Sequence, residues 1–169
     1  MRVFALGTGR CCSMTFSKAC EHFYDYTSGH ETKAGSFNDL NYIDNHIESD
    51  AHLFWRLPRL ISLYPNALYV HLIREKRSCV KSLAKRKSID KYASFTEMCD
   101  SFDRIEICDN FYDFVNDTIE VYCKSLAVQY IKLWVPPTKE LWFEFYTRIN
   151  SVGNFENSWS EWARRYNAS

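Results

Sequence analysis

The sequence predicts one α/β domain built on a parallel β-sheet, and three observations predict it. Short apolar, β-rich runs alternate with stretches whose apolar residues recur at helical spacing. The first run ends in a glycine-rich turn, Gly7 to Ser13, that leads straight into a helical pattern. The chain has 169 residues, 46% of them hydrophobic, which suits one core and leaves little for a second domain, so residues 1–169 are read as a single unit.

The elements follow in order. "RVFAL", Arg2 to Leu6, is a short strand stopped by Gly7, and Phe16, Ala19, Cys20 and Phe23 then fall at i, i+3, i+4, i+7 of a helix. "HIES", His46 to Ser49, is a second strand. Leu53, Leu57, Leu60, Ile61 and Tyr64 mark the next helix, which Pro58 makes kink or restart, with Asp50 as its cap. "ALYVHLIR", Ala67 to Arg74, is the clearest buried strand, bounded by Pro65 and Asn66. Cys79, Val80 and Leu83 give the helix after it an apolar face. Phe95, Met98, Cys99, Phe102 and Ile105 mark a further helix, and Phe111, Val115, Ile119, Tyr122 and Leu126 another. After the Pro136-Pro137 breaker, "ELWFEFY", Glu140 to Tyr146, reads as a late strand. Trp159, Trp162, Ala163 and Tyr166 make a closing helix capped by Asn154.

Charge is balanced overall, with 21 basic and 21 acidic residues, so nothing global draws the chain to nucleic acid or an anionic membrane. It is segregated locally. Arg74 to Lys91 holds eight Lys or Arg against two acids, and Ser94 to Glu120 holds eight acids against Arg104, so two solvated helix faces that attract each other are expected. The basic run lacks interleaved aromatics, which argues against nucleic-acid binding. Seven cysteines without a CxxC, and no apolar leader or ~20-residue apolar run, point to free thiols in a cytoplasmic, membrane-free setting.

The turn after the first strand is not a Walker A loop, which needs Gly where Cys12 stands and Lys-Ser/Thr directly after it. A dinucleotide fingerprint would need a third small residue at Cys12. What remains, Gly7 to Thr15, offers an anion the backbone N–H groups of a turn and first helical turn, the charge of Arg10 and the hydroxyls of Ser13 and Thr15. Alternatively, Ser13 simply caps the helix. In "VHLIREKRSCVKSLAKR" Arg74 ends a strand and Ser82 lies on the following helix, placed to converge on a second phosphate. No metal site is expected: His30-Glu31 begins like HExxH, but Ala34 stands where the second His is needed.

The pair "GTGRCCSMT" and "YVHLIREKRSCVKSLAKR" resembles the two nucleotide-binding segments of sulfotransferases that use 3'-phosphoadenosine 5'-phosphosulfate (PAPS), and "VGNFENSWSEWARRYNAS" resembles the tail of small microbial or viral members. The resemblance implies a P-loop-like three-layer fold, a central parallel β-sheet flanked by helices. It implies that Arg10, Cys11, Cys12, Ser13, Met14 and Thr15 hold the 5'-phosphosulfate and that Arg74 and Ser82 hold the 3'-phosphate. Cys12 departs from the family's usual Gly.

The reaction it implies moves a sulfuryl group from PAPS to a hydroxyl or amine on a small-molecule or glycan acceptor, with Arg10 stabilising the leaving phosphate and Glu31, or else His30, as base. Glu48, Asp50 and His52 are rival bases, and Ser49 or Asp50 stands where parts of the family carry a catalytic Lys. Two other readings stay open: a catalytically silent nucleotide-binding or interaction protein of the same fold, and a nucleotide or nucleoside kinase.

Overall fold

The structure is a computed structural model that describes residues 1–36, 38–87, 89, 103–164 and 166. Its centre is a five-stranded, all-parallel sheet: β1 (Val3–Leu6), β2 (Thr27–His30), β3 (His46–Ser49), β4 (Leu68–Arg74) and β5 (Gln129–Val135), in the spatial order β2-β3-β1-β4-β5. Helix α1 (Ser13–Cys20) follows β1, and a 3-10 turn at Ala51–Arg56 followed by α2 (Leu57–Leu63) leads from β3 to β4. Helices α3 (Lys76–Leu83) and α4 (Arg104–Ser125) precede β5. Helices α5 (Lys139–Arg148) and α6 (Phe155–Ser160), with a 3-10 turn at Glu161–Ala163, complete the described chain.

Parallel strands need cover on both faces, and the side-chain alternation of β1 and β4 supplies it. Val3, Ala5, Val70 and Leu72 join Phe16, Phe23, Trp142 and Phe145 in one core, beneath α1 and α5. Phe4, Leu6 and Tyr69 join Leu53, Leu60, Cys79, Phe111 and Val115 in the other, beneath the 3-10 turn, α2, α3 and α4. The result is helices, sheet, helices. Among the described residues, no helix is long and apolar enough to cross a membrane.

Most expected elements are present. The Pro58 interruption falls where the 3-10 turn gives way to α2, and Asp50 caps that turn by accepting from His52 N at 2.7 Å. Asn154 caps α6 by accepting from Asn157 N at 3.0 Å, although the closing helix breaks into α6 and a 3-10 turn. The charge runs meet at Lys76, which bonds Asp109 and Asp113, each at 2.7 Å. The helix expected over Phe95 to Phe102 lies outside the described residues, and Ile105 belongs to α4.

The Glu140 to Tyr146 strand is corrected: this segment is part of helix α5. Thr138 accepts from Leu141 N, and Trp142, Phe145 and Ile149 are buried at i, i+3, i+7, a period that a strand cannot bury. The strand precedes Pro136. "QYIKLWV" pairs along its length with β4, Leu68 opposite Gln129 through Arg74 opposite Val135. Its outer face is open, with Trp134 56% exposed, so the sequence carries no continuous apolar run to mark it.

Candidate functional site

From β1 the chain goes toward β2 and β3, and from β4 it goes the other way to β5. The crevice beyond the carboxyl ends of β1 and β4 is therefore the topological switch point, where open α/β sheets bind ligands. Gly7 stands there because a Cβ would meet Cys11 Sγ at 2.6 Å and the Leu72 carbonyl oxygen at 2.8 Å. The turn then coils through left-handed backbone at Gly9 (φ 73), Arg10 (φ 56) and Cys12 (φ 62). Cys12 thus takes the conformation that explains a glycine preference at this point, at a strain of roughly 1–2 kcal/mol for a side-chain-bearing residue.

Ser13 is not the cap of α1. Cys12 holds that position without a side-chain bond to the helix, so the first-turn N–H groups have no side-chain cap, and Ser13 Oγ instead lies 3.0 Å from His30 Nε2. Thr8 Oγ1 lies 3.2 Å from Cys79 Sγ, which also donates to Gly9 O, fastening the turn to α3.

Arg10 is held by both sequence segments. Its Nε donates to Ser82 Oγ at 2.9 Å, and Arg74 Nη1 donates to the Arg10 carbonyl oxygen at 2.9 Å. Burial, then the charges of Arg86 and Arg74, push the Arg10 pKa down, the signature of cations gathered at one place. Tyr112 holds the Arg74 carbonyl at 2.7 Å, and Glu75 caps α3 by accepting from Arg77 N and Ser78 N. Burial raises the thiol pKa of Cys11, Cys12 and Cys79, with Arg74 and Arg10 opposing it at Cys12, which disfavours thiolate chemistry.

A cleft of about 390 Å³ opens beside this turn. Arg10, Ser13, His30, Glu31, His52 and Arg86 are among its polar lining residues. Strand β2, missed in the sequence because "TSGH" is polar and short, delivers His30 and Glu31 to it. The β2 end is fixed by Glu48, wholly buried, which accepts from Thr32 N at 2.9 Å, from the Thr32 hydroxyl, and pairs with His46 Nε2 at 3.0 Å. A Cβ on Gly29 would meet Glu48 Oε2 at 2.8 Å, so this corner also requires glycine.

Of the candidate bases, His52 has its ring held by a buried carboxylate. Its Nδ1 lies 2.9 Å from Asp50 Oδ1, and Asp50 is fully buried, so the carboxylate fixes the ring and raises the His52 pKa, chiefly through that hydrogen bond. Glu31 joins the pair, with ligand-type atoms of Glu31, Asp50 and His52 within 4.8 Å of one another. That cluster reads better as a proton-handling group than as a cation site. Asp50 Oδ1 is engaged by His52, and Arg56 Nη2 lies 4.0 Å from Asp50 Oδ2, where its charge opposes a metal ion.

The cleft thus gathers Arg10, Ser13, His30 and Glu31 from the sequence reading and adds His52 from among the rivals. Arg74 and Ser82 stand behind Arg10 and do not line it, and Cys11 and Thr15 are buried. Phe54, Trp55 and Phe111 belong to no motif, because apolar lining residues have the same spacing as core residues. No protein-family model matches the chain, and no curated protein is significantly similar to it.

Proposed function

We propose that this protein transfers a sulfuryl group from PAPS to a small hydroxyl or amine acceptor. The observation that carries the reading is the double hold on Arg10, by Arg74 at its carbonyl and by Ser82 at its Nε, beside a cleft that also holds His30, Glu31 and His52. In this reading the fold is P-loop-like. The left-handed turn and the first-turn N–H groups of α1, which no side chain caps, receive the 5'-phosphosulfate, Arg10, Cys11, Cys12, Ser13, Met14 and Thr15 furnishing backbone and side-chain donors. Arg74 and Ser82, both engaged with Arg10 outside the cleft, exchange those bonds for the 3'-phosphate in this reading.

Transfer passes through a loose, in-line transition state in which charge gathers on the leaving phosphate. A guanidinium already held in place, that of Arg10, stabilises it. His52, steadied by Asp50, takes the acceptor proton, with Glu31 and His30 beside it. Neither nucleic acid nor a membrane enters this account, and a reducing, cytoplasmic setting is part of the proposal, one in which its thiols stay free. The kinase reading needs acids free to hold Mg²⁺, and with Asp50 committed to His52 and facing Arg56, Glu31 is left as the acid of the cluster.

The test is release of 3'-phosphoadenosine 5'-phosphate (PAP) from PAPS in the presence of small hydroxyl and amine acceptors. Turnover is expected, falling about 100-fold or more in Arg10→Ala. Consumption of ATP in place of PAPS would favour a kinase, and nucleotide binding without turnover a silent protein.

A further inference from the structure

We propose that a second copy of this chain docks along the outer edge of β5, so that two β5 strands pair antiparallel about a two-fold axis and join the sheets of two molecules. This does not depend on the sulfuryl-transfer reading. Strand β5 is last in the order β2-β3-β1-β4-β5, and among the described residues it pairs with β4 and with no other strand. The ladder groups on its other side are a template for a further strand. The opposite edge of the sheet is poorly suited to pairing, because β2 is four residues long and polar, "TSGH". Strand β5 has seven residues, Tyr, Ile, Leu, Trp and Val among them, and its Trp134 is 56% exposed.

The contacts of β5 settle which way its side chains point. Ile131, Leu133 and Val135 pack in the core beneath α5, whereas Tyr130 bonds His71 and Lys132 bonds Glu120 of α4. Alternation then puts Trp134 on the α4 face with Tyr130 and Lys132. In an antiparallel ladder, residues opposite one another turn their N–H and C=O groups the same way, so a two-fold axis passes through a residue and not between two. An axis at Lys132 would oppose two ammonium groups, which destabilises a ladder. An axis at Ile131 would leave Trp134 opposite Val128, outside the strand and with its N–H already bonded to Cys123 O. An axis at Leu133 sets Lys132 opposite the partner's Trp134, twice by symmetry, and Ile131 opposite the partner's Val135. That ladder ends at Pro136, which has no N–H to donate.

The register is complementary in charge and in shape of side chain. An ammonium against an indole face is a cation–π contact, strengthened as water leaves. Lys132 keeps its ion pair with Glu120 while the indole covers it, so no unpaired charge is buried. Ile131, half-buried in the single chain, gains a valine neighbour on the α5 face. A foreign strand would have to bring an aromatic residue and a cation at this spacing, and the chain brings both itself. Pairing consumes the long edge of each copy and leaves only the short β2 edges, so assembly closes at two. A ladder from Ile131 to Val135 is small beside the roughly 800 Å² per partner of a standard interface, so a dissociation constant of about 1–100 µM is expected.

The experiment is sedimentation velocity on the full chain from about 1 to about 300 µM, in wild type, Trp134→Lys, Trp134→Glu and the double variant Lys132→Glu with Trp134→Lys, each checked for folding by circular dichroism. Wild type is expected to pass from monomer to dimer across that range. Trp134→Lys sets lysine against lysine and should weaken the dimer at least about tenfold, whereas Trp134→Glu sets a carboxylate against Lys132 and should keep it. The double variant again opposes unlike charges and should recover most of what Trp134→Lys loses. Should Trp134→Lys not fold, Lys132→Glu with Trp134→Glu sets carboxylate against carboxylate and is expected to be the monomer instead. A wild type that stays monomeric throughout overturns the proposal, and so does a dimer that Trp134→Lys leaves unchanged. Loss of the dimer in Trp134→Glu, or no recovery in the double variant, overturns the register on which the choice of a second copy rests.

Discussion

Acidification should weaken the fold through a single histidine in the middle of β4. His71 is 1% exposed, with Nε2 2.7 Å from Asn116 Oδ1 and Nδ1 2.9 Å from the Tyr130 hydroxyl. Asn116 Nδ2 donates to Tyr112 O, which turns the amide oxygen toward the histidine, so Nε2 carries the proton and Nδ1 accepts from Tyr130. Adding a second proton at Nδ1 removes the acceptor of the Tyr130 hydroxyl, which must turn to accept instead, and leaves a charge buried inside the sheet. Burial is the main cause that pushes the His71 pKa down to about 4, with Lys132 adding to it and the Asn116 bond and Glu120 opposing it.

Between pH 6.5 and about 4 the unfolded chain holds a proton at this site and the folded chain does not, so stability falls as pH falls across that window. Against an ordinary value of 6.5, the full loss is roughly 3 kcal/mol. Urea unfolding at intervals from pH 7.5 to 4 measures it, and His71→Phe, whatever its cost at neutral pH, should flatten the slope. A slope unchanged in His71→Phe, or a His71 titration by NMR near 6.5, would refute the reasoning.

Cys12→Gly relieves left-handed strain of roughly 1–2 kcal/mol but adds unfolded-state freedom, so the melting temperature should rise slightly or hold, with PAP affinity equal or higher. A marked loss of both would mean that the thiol's packing outweighs its backbone. Since the Asp50 bond raises the His52 pKa, the acid limb of kcat/KM should lie above pH 6.5 and move to lower pH in Asp50→Asn. A limb that does not move would remove His52 from the proton path. Gly29→Ala should cost several-fold in turnover and stability together, because its methyl displaces the Glu48 carboxylate that holds the His30-Glu31 corner, and unfolding together with turnover measurements checks both.

What the sequence made legible was backbone chemistry with a local cause. Gly7 and the turn after β1, the buried run of β4, the caps at Asp50 and Asn154 and the break at Pro58 each announce themselves within a few residues. Elements fixed by their neighbours were not legible. Strand β2 is held by pairing to β3 and by Glu48, a contact sixteen residues away in the chain, and β5 is an edge strand with an open face. Helix α5 was hidden because aromatic residues sit on both its buried and exposed faces, Trp142 and Phe145 inside, Phe143 outside. In the site, charged residues near the turn could be chosen from type and spacing. The pairing of His52 with Asp50 and the aromatic wall at Trp55 depend on where the 3-10 turn lies against β1, which spacing does not encode.

The central claim is that Arg74 and Ser82 serve a nucleotide bearing a 3'-phosphate. Calorimetric titration with PAP against ADP, in wild type and Arg74→Ala, tests it most directly. The account predicts that PAP binds more tightly by at least about tenfold, a margin typical of a lost charge-assisted contact, and that Arg74→Ala abolishes it. Equal affinity for PAP and ADP, or a preference that survives Arg74→Ala, would contradict it.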